Sequence, residues 1–197
     1  MLTNSIIDFM TLKNNVLNCT LCEKDLALGV NPVVQIHPEA KILIAGQAPG
    51  RKVHETNIPF NDASGNRLRD WMGIDKSIFY DEKKIAILPM GFCFPGTGKS
   101  GDLPPRKECA IKWRNDVLEH LKNIELTLLI GQYAIHWHLG KDRKKTLTET
   151  VKNGECYSNG IVPLPHPSPR NQGWMKNNPW FSENVLPRLK DKINELL

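Results

Sequence analysis

Four short apolar runs constrain this chain more than any other feature: KILIAG (41–46), KIAILPM (84–90), LTLLIG (126–131) and GIVPLP (160–165). Each is rich in Ile, Leu and Val and bounded by Gly or Pro, the pattern of a strand covered on both faces. Helical periodicity fills the intervals. One helix is predicted over roughly 105–122, with Ile111, Val117, Leu118 and Leu121 on one face. Shorter ones follow Ser64 (GNRLRDWM) and Gly131 (QYAIHWHL), and a last one runs over 182–197 with a bend expected at Pro187. Strands alternating with helices imply a parallel sheet between helical layers. The expected fold is therefore α/β, a three-layer α/β/α sandwich with a central four-stranded parallel sheet. At 197 residues, without repeats or an internal boundary, a single domain over 1–197 is expected.

Composition narrows the setting. Hydrophobic residues at 40% and charged residues at 24% match a globular protein, and no apolar run approaches the roughly 20 residues that span a bilayer. The opening stretch, MLTNSIIDFMTLKNNVLN, is amphipathic and lacks the basic-then-apolar profile of a secretory signal. A cytoplasmic location, no membrane partner and a monomeric state are expected. The formal net charge of +5 and pI of about 8.9 favour a polyanionic partner if the charge gathers on one face. Five cysteines in such a compartment point to metal or catalytic use rather than a disulfide framework.

Ligands of open α/β sheets bind beyond the carboxyl ends of the strands. GQAPG (46–50), GFCFPGTGKSGD (91–102) and HPSPRNQGW (166–174) leave three such ends, so the least ordinary segments converge on one sheet edge. GQAPG is a tight turn offering backbone N–H groups, with Gln47 able to contact a substrate or order a water. HPSPRN holds a histidine, a hydroxyl and an arginine in a loop stiffened by two prolines.

In this order and at these strand ends, the segments resemble the uracil-DNA glycosylase superfamily, whose first motif is GQDPYH, GEAPG or a variant and whose last begins HPS. Cys19 and Cys22 form CxxC, with Cys93 and Cys109 following, and the set resembles the structural iron–sulfur pattern of the family 4 enzymes. Four thiolates can hold [4Fe–4S] or, alternatively, zinc; Cys156 has no place in the pattern. The resemblance implies a base-flipping enzyme acting on DNA with a damaged base. Phe60 would stack on the flipped base, a substitute for lost stacking. His166 would stabilise charge on the uracil O2 as the glycosidic bond breaks. Gln47 with the amides around Gly46 and Ala48 would hold the base edge and the water. Ser168 would bond a phosphate, Arg170 would enter or brace the space left by the base, and Arg51 and Lys99 would meet the DNA backbone.

Three departures bear on mechanism. Ala48 replaces the Asp of GQDPYH, and Gln47 replaces the Glu of GEAPG, so a carboxylate must come from elsewhere. Asp62, in FNDASG, is the candidate through its similarity to the GDASG segment of family 5 enzymes; its other use would be as a helix cap. Asn61 is an alternative polar reader. The position of the uracil-reading Asn of family 4 is Pro89, so specificity for uracil over another deaminated base is open.

PGTGKS (95–100) approaches a P-loop, yet Cys93 stands where the first glycine belongs and GDLPP follows where a helix must open. Lys99 and Arg106 would then serve DNA phosphates. A basic stripe is expected from Arg51, Lys52, Arg67, Lys99, Arg170 and Lys176. Trp174 and Trp180 would either stack on bases or pack on the sheet edge. No lysine is placed as a Schiff-base nucleophile, so a monofunctional glycosylase is expected. The alternative is a catalytically inactive nucleic-acid-binding protein of the same fold; the two differ in whether Gln47, Phe60, Asp62 and His166 surround one pocket.

Overall fold

The structure, a computed structural model, describes residues 8–99, 101–154 and 160–197, so Cys156 lies outside the described residues. All four apolar runs form strands: β1 (Ile42–Ala45), β2 (Ile85–Ile87), β5 (Leu126–Ile130) and β6 (Ile161–Leu164). They pair in parallel in the order β2-β1-β5-β6. Ile42 faces Ile85 on one side and Leu126 on the other, while Leu128 pairs with Val162. The chain leaves β1 in one direction for β2 and then crosses to β5 on the other flank, which opens a crevice at the carboxyl ends.

Alternation along β1 divides the core. Ile42 and Ile44 pack with Leu68, Trp71, Phe181, Leu189 and Ile193, residues of α3 (Ala63–Met72), α10 (Leu186–Leu196) and the turn before it. Leu43 faces the opposite layer, with Leu12 and Val16 of α1 (Phe9–Leu17) and Val117 of α6 (Asn115–His120). Ala45 and Leu129 meet Ala134 and Ile135 of α7 (Gly131–Leu139). Side chains pointing alternately to two helical layers explain why the strands read as unbroken apolar runs. The remaining helices are short: α2 (Arg51–Thr56), α4 (Lys76–Phe79), α5 (Lys107–Cys109), α8 (Leu147–Lys152) and α9 (Gln172–Asn177).

The edges are closed by chemistry visible in the sequence. Pro163 is tolerated in β6 because β6 is an edge strand. On the other flank, Gln35 and Ile87 exchange backbone hydrogen bonds, so an extended segment covers β2.

One helix expectation is corrected. The 105–122 helix is interrupted by a π turn, Ala110–Arg114, between α5 and α6. The wider turn rotates the face, leaving Ile111 76% exposed while Val117 stays buried. Pro187 is the second residue of α10, which follows directly on a π turn, Phe181–Val185, with helical backbone continuing through the junction, so the helical path changes its winding at the proline. PGTGKS opens no helix: β3 (Thr97–Gly98) and β4 (Gly101–Asp102) pair as a small antiparallel hairpin. Trp174 and Trp180 pack edge-to-face on each other and on Phe181, so they brace the core rather than stand free for bases.

Candidate active site

Beyond the carboxyl ends of β1, β2 and β6 lies a cleft of about 470 Å³, within the range of small-molecule sites. Gly46, Gln47, Ala48, Phe60, Asp62, His166, Ser168 and Arg170 all line it. Its floor includes Ile87 and Pro89.

The GQAPG turn is fixed where β1 ends. The Gly46 carbonyl accepts from Met90 N–H and that of Gln47 from Gly91 N–H, both at 2.9 Å, extending the parallel ladder past the strand. The Gln47 side-chain amide donates to the Leu103 carbonyl at 3.5 Å. Gly46 lies close under its neighbour: a Cβ there would lie 3.3 Å from Cζ of Phe60, so the ring would have to give by a few tenths of an ångström.

Phe60 is held under strain. Its φ of +53° is left-handed, a region that bulky residues rarely adopt and that persists where surroundings over-determine it. Those surroundings are explicit. The Phe60 carbonyl presses on α3 so closely that a Cβ on Gly65 would lie 1.7 Å from its oxygen. Buried Arg69 donates to that carbonyl and to the Tyr80 hydroxyl, which in turn donates to the Pro59 carbonyl. The ring meets Phe79 edge-on.

Asp62 caps α3, its Oδ1 accepting from Gly65 N–H at 2.8 Å. The same residue lines the cleft. Capping and exposure to the cleft therefore coexist. Asn61 does not: it is absent from the described cleft lining, and its side-chain amide donates to Thr56 Oγ1 at 3.3 Å. Asn61 is thus placed outside the cleft lining that Phe60 and Asp62 share.

The HPSPR loop orients His166 through its own backbone. Ser168 N–H donates to Nδ1 at 3.2 Å, so in the neutral ring the proton sits on Nε2. Burial holds the pKa of His166 below its ordinary value, with the nearby Asp62 and Asp102 carboxylates acting against it. The loop is braced by Asn171, which donates to the His166 carbonyl at 2.7 Å, and by Arg67 of α3, which donates to the Ser168 carbonyl at 3.0 Å. Arg67 thus ties two motifs together instead of joining the basic stripe. Arg170 lies against the hairpin, its Nη1 1.9 Å from where a Cβ on Gly101 would sit.

Pro89 turns its carbonyl away from any base. That oxygen and the Leu88 carbonyl each accept from Arg114 Nη1 at 3.0 Å. Arg114 is fully buried and also bonds His138 Nε2 at 2.7 Å. The cleft at this position is therefore apolar.

The four described cysteines form no disulfide. Cys19, Cys22 and Cys109 sit near enough to Cys93 for charge on one thiol to oppose charge on the next. Burial pushes Cys93 up to about 11 and Cys109 up to about 12. Phe92 N–H donates to Cys109 Sγ at 3.4 Å and Trp113 Nε1–H to Cys19 Sγ at 3.3 Å. Among the described residues no three His, Cys, Asp or Glu side chains gather around a point that would hold one metal ion. Arg106 belongs to this region: it pairs with Asp25 at 2.9 Å and with Glu108, so its charge is met by carboxylates. Arg51, Lys52, Lys99 and Lys176 are exposed. No helix among the described residues is long and apolar enough to cross a membrane.

The family model of the uracil DNA glycosylase superfamily matches residues 33–190. The chain belongs to the uracil DNA glycosylase superfamily. The match takes in every cleft-lining residue named above, together with Cys93 and Cys109, and begins after Cys19 and Cys22.

One cleft residue was missed in the sequence. Asp102, on β4, lines the same cavity. Its sequence signal is an acid closing GFCFPGTGKSGD, a segment already expected at this sheet edge.

Proposed function

We propose that this chain is a monofunctional DNA glycosylase that hydrolyses the N-glycosidic bond of a deaminated base, uracil first, in DNA. The observation that carries the reading is His166: a cleft-lining imidazole whose tautomer is set by Ser168 N–H, so that it presents Nε2–H as a neutral donor. A base leaving its sugar takes the bonding electrons onto its ring and carbonyl oxygens. A fixed neutral donor there acts mainly on the transition state. Phe60, across the cleft, supplies the apolar face for a base out of its stack. Asp62 offers negative charge to the oxocarbenium-like sugar, and Gln47 with the turn amides offers polar contacts to the base edge and the water. Among the described cleft residues there is no lysine, which favours water over an amine as nucleophile and hydrolysis without strand cleavage. Exposed Arg51 and Lys99, with Arg170 and Ser168 at the rim, would meet the phosphates.

Because Pro89 offers neither a donor nor a directed carbonyl, a base there is selected by fit rather than by a hydrogen-bond test. Such sites reject near-isosteres by smaller factors than sites built on buried hydrogen bonds. Hypoxanthine and xanthine are accordingly included as substrates.

The cysteine set fits a [4Fe–4S] cluster better than zinc. The four thiols share one region and two of them accept N–H···S hydrogen bonds, which suit cluster sulfurs. Cys19, Cys22, Cys93 and Cys109 would hold the cluster in a structural role, tying the segment after α1 to the loop after β2. This is the family 4 arrangement combined with a family 5-like DASG segment.

Incubating the purified protein with oligonucleotides bearing uracil, hypoxanthine or xanthine tests the reading. Release of base and formation of an alkali-labile abasic site are expected. DNA binding without release from any of them would favour the inactive binding protein.

A further inference from the structure

Hydrolysis requires a water beside the anomeric carbon and a group to take its proton. The GQAPG turn lines the cleft, yet Gln47 and Ala48 can take no proton. Asp62 has one carboxylate oxygen committed to capping Gly65. The β3–β4 hairpin delivers the missing group. Asp102 lines the cleft, and its Oδ2 lies 3.5 Å from where a Cβ on Gly50 would sit, so the carboxylate rests against the end of the turn. The hairpin is anchored there by Arg170 against Gly101 and by the hydrogen bond from Gln47 to the neighbouring Leu103 carbonyl.

We infer that Asp102 is the carboxylate that holds the attacking water and accepts its proton, replacing from the hairpin an acid that the GQAPG turn lacks. This rests on the glycosylase reading above. As the C1′–N bond breaks, its electron pair passes to the base, held by His166. Water oxygen bonds to C1′ and one water proton moves to Asp102. That proton returns through solvent to the departed base, leaving neutral base and an abasic sugar, with Asp102 again ionised. Asp62 remains beside the sugar to offset its positive charge. The charged and titratable groups that act on Asp102 are Arg170, Asp62, His166 and Arg51. Burial pushes its carboxyl above the ordinary value, with Asp62 adding to the rise, while Arg170, His166 and Arg51 oppose it. A carboxylate so raised is a better proton acceptor at neutral pH.

The test is single-turnover base release by wild type, Asp102→Asn and Arg170→Gln across pH, with melting temperature and affinity for the same oligonucleotide measured alongside. Asp102→Asn should lose about 10²–10⁴-fold in rate while keeping its melting temperature and DNA affinity, and its remaining rate should lack the acid limb. Arg170→Gln removes a cation that favours ionised Asp102, so its acid limb should move to higher pH; this arm holds even if Asp102→Asn folds poorly. An active wild type with Asp102→Asn within threefold of its rate, or an unmoved limb in Arg170→Gln, would overturn the assignment alone. A wild type that releases no base overturns the glycosylase reading and this assignment together.

Discussion

The imidazole of His166 is held in one tautomer by a single backbone amide, that of Ser168, and burial lowers its pKa. It therefore acts uncharged, and protonation is expected only below the ordinary histidine value of about 6.5. Base release should not fall as pH drops through that value on account of His166, and His166→Ala should cost about 10²–10³-fold in rate at every pH, the scale of one lost transition-state donor. An NMR titration of the ring checks this directly: a midpoint at or above 6.5 would contradict it. His138 behaves alike for a structural reason. Arg114 donates to its Nε2, and burial, with the Arg114 charge adding to it, lowers its pKa to about 3. Below about 6.5 the unfolded chain binds a proton that the folded chain refuses. The stability contributed by neutral His138 is present above that pH and lost progressively toward 3. Denaturant melts of wild type and His138→Gln between pH 7 and 4 should converge as pH falls; parallel curves would refute it.

At the scale of elements, α3 links cap, aromatic and loop: it starts at Asp62, yields to the Phe60 carbonyl at Gly65, and braces HPSPR through Arg67. The two duties of Asp62 can be separated, because Asn caps a helix as well as Asp does. Asp62→Asn should keep the melting temperature and lose rate, whereas Asp62→Ala should lose rate and about 1 kcal/mol of stability. Equal rates in wild type and Asp62→Asn would show the carboxylate is only a cap. The strands were legible because a strand buried on both faces leaves an unmistakable apolar run, and the loops at their ends were legible through their glycines and prolines. What stayed hidden depends on distant partners. The π turn at Ala110–Arg114 ends on Arg114, which donates to the Leu88 and Pro89 carbonyls, and local periodicity carries no trace of these distant partners. Asn61 was read as an alternative polar reader of the base, and its hydrogen bond to Thr56 is a contact the sequence does not announce. Asp102 lay in a segment expected at this sheet edge but was not singled out, because only the folded hairpin sets it against GQAPG.

Over the whole molecule, two distinct centres share the region between β2 and α6: the cleft, and the cysteine set behind it. The loop after β2 serves both, with Pro89 at the cleft floor and Cys93 among the thiols. If the four cysteines hold the proposed cluster, its loss should loosen the cleft as well as the segment after α1. Cys93→Ser is expected to lower iron content, bleach visible absorption and reduce melting temperature; a colourless wild type containing zinc and no iron would exclude the cluster. The central claim is that this cleft cuts a base from DNA through a neutral His166. It is tested most directly by abasic-site formation in uracil, hypoxanthine and xanthine oligonucleotides, comparing wild type with His166→Ala at equal DNA occupancy. Base release by wild type from at least one of them is expected, with a loss of about 10²–10³-fold in the variant. No abasic site from any substrate, or equal rates in the two proteins, would contradict it.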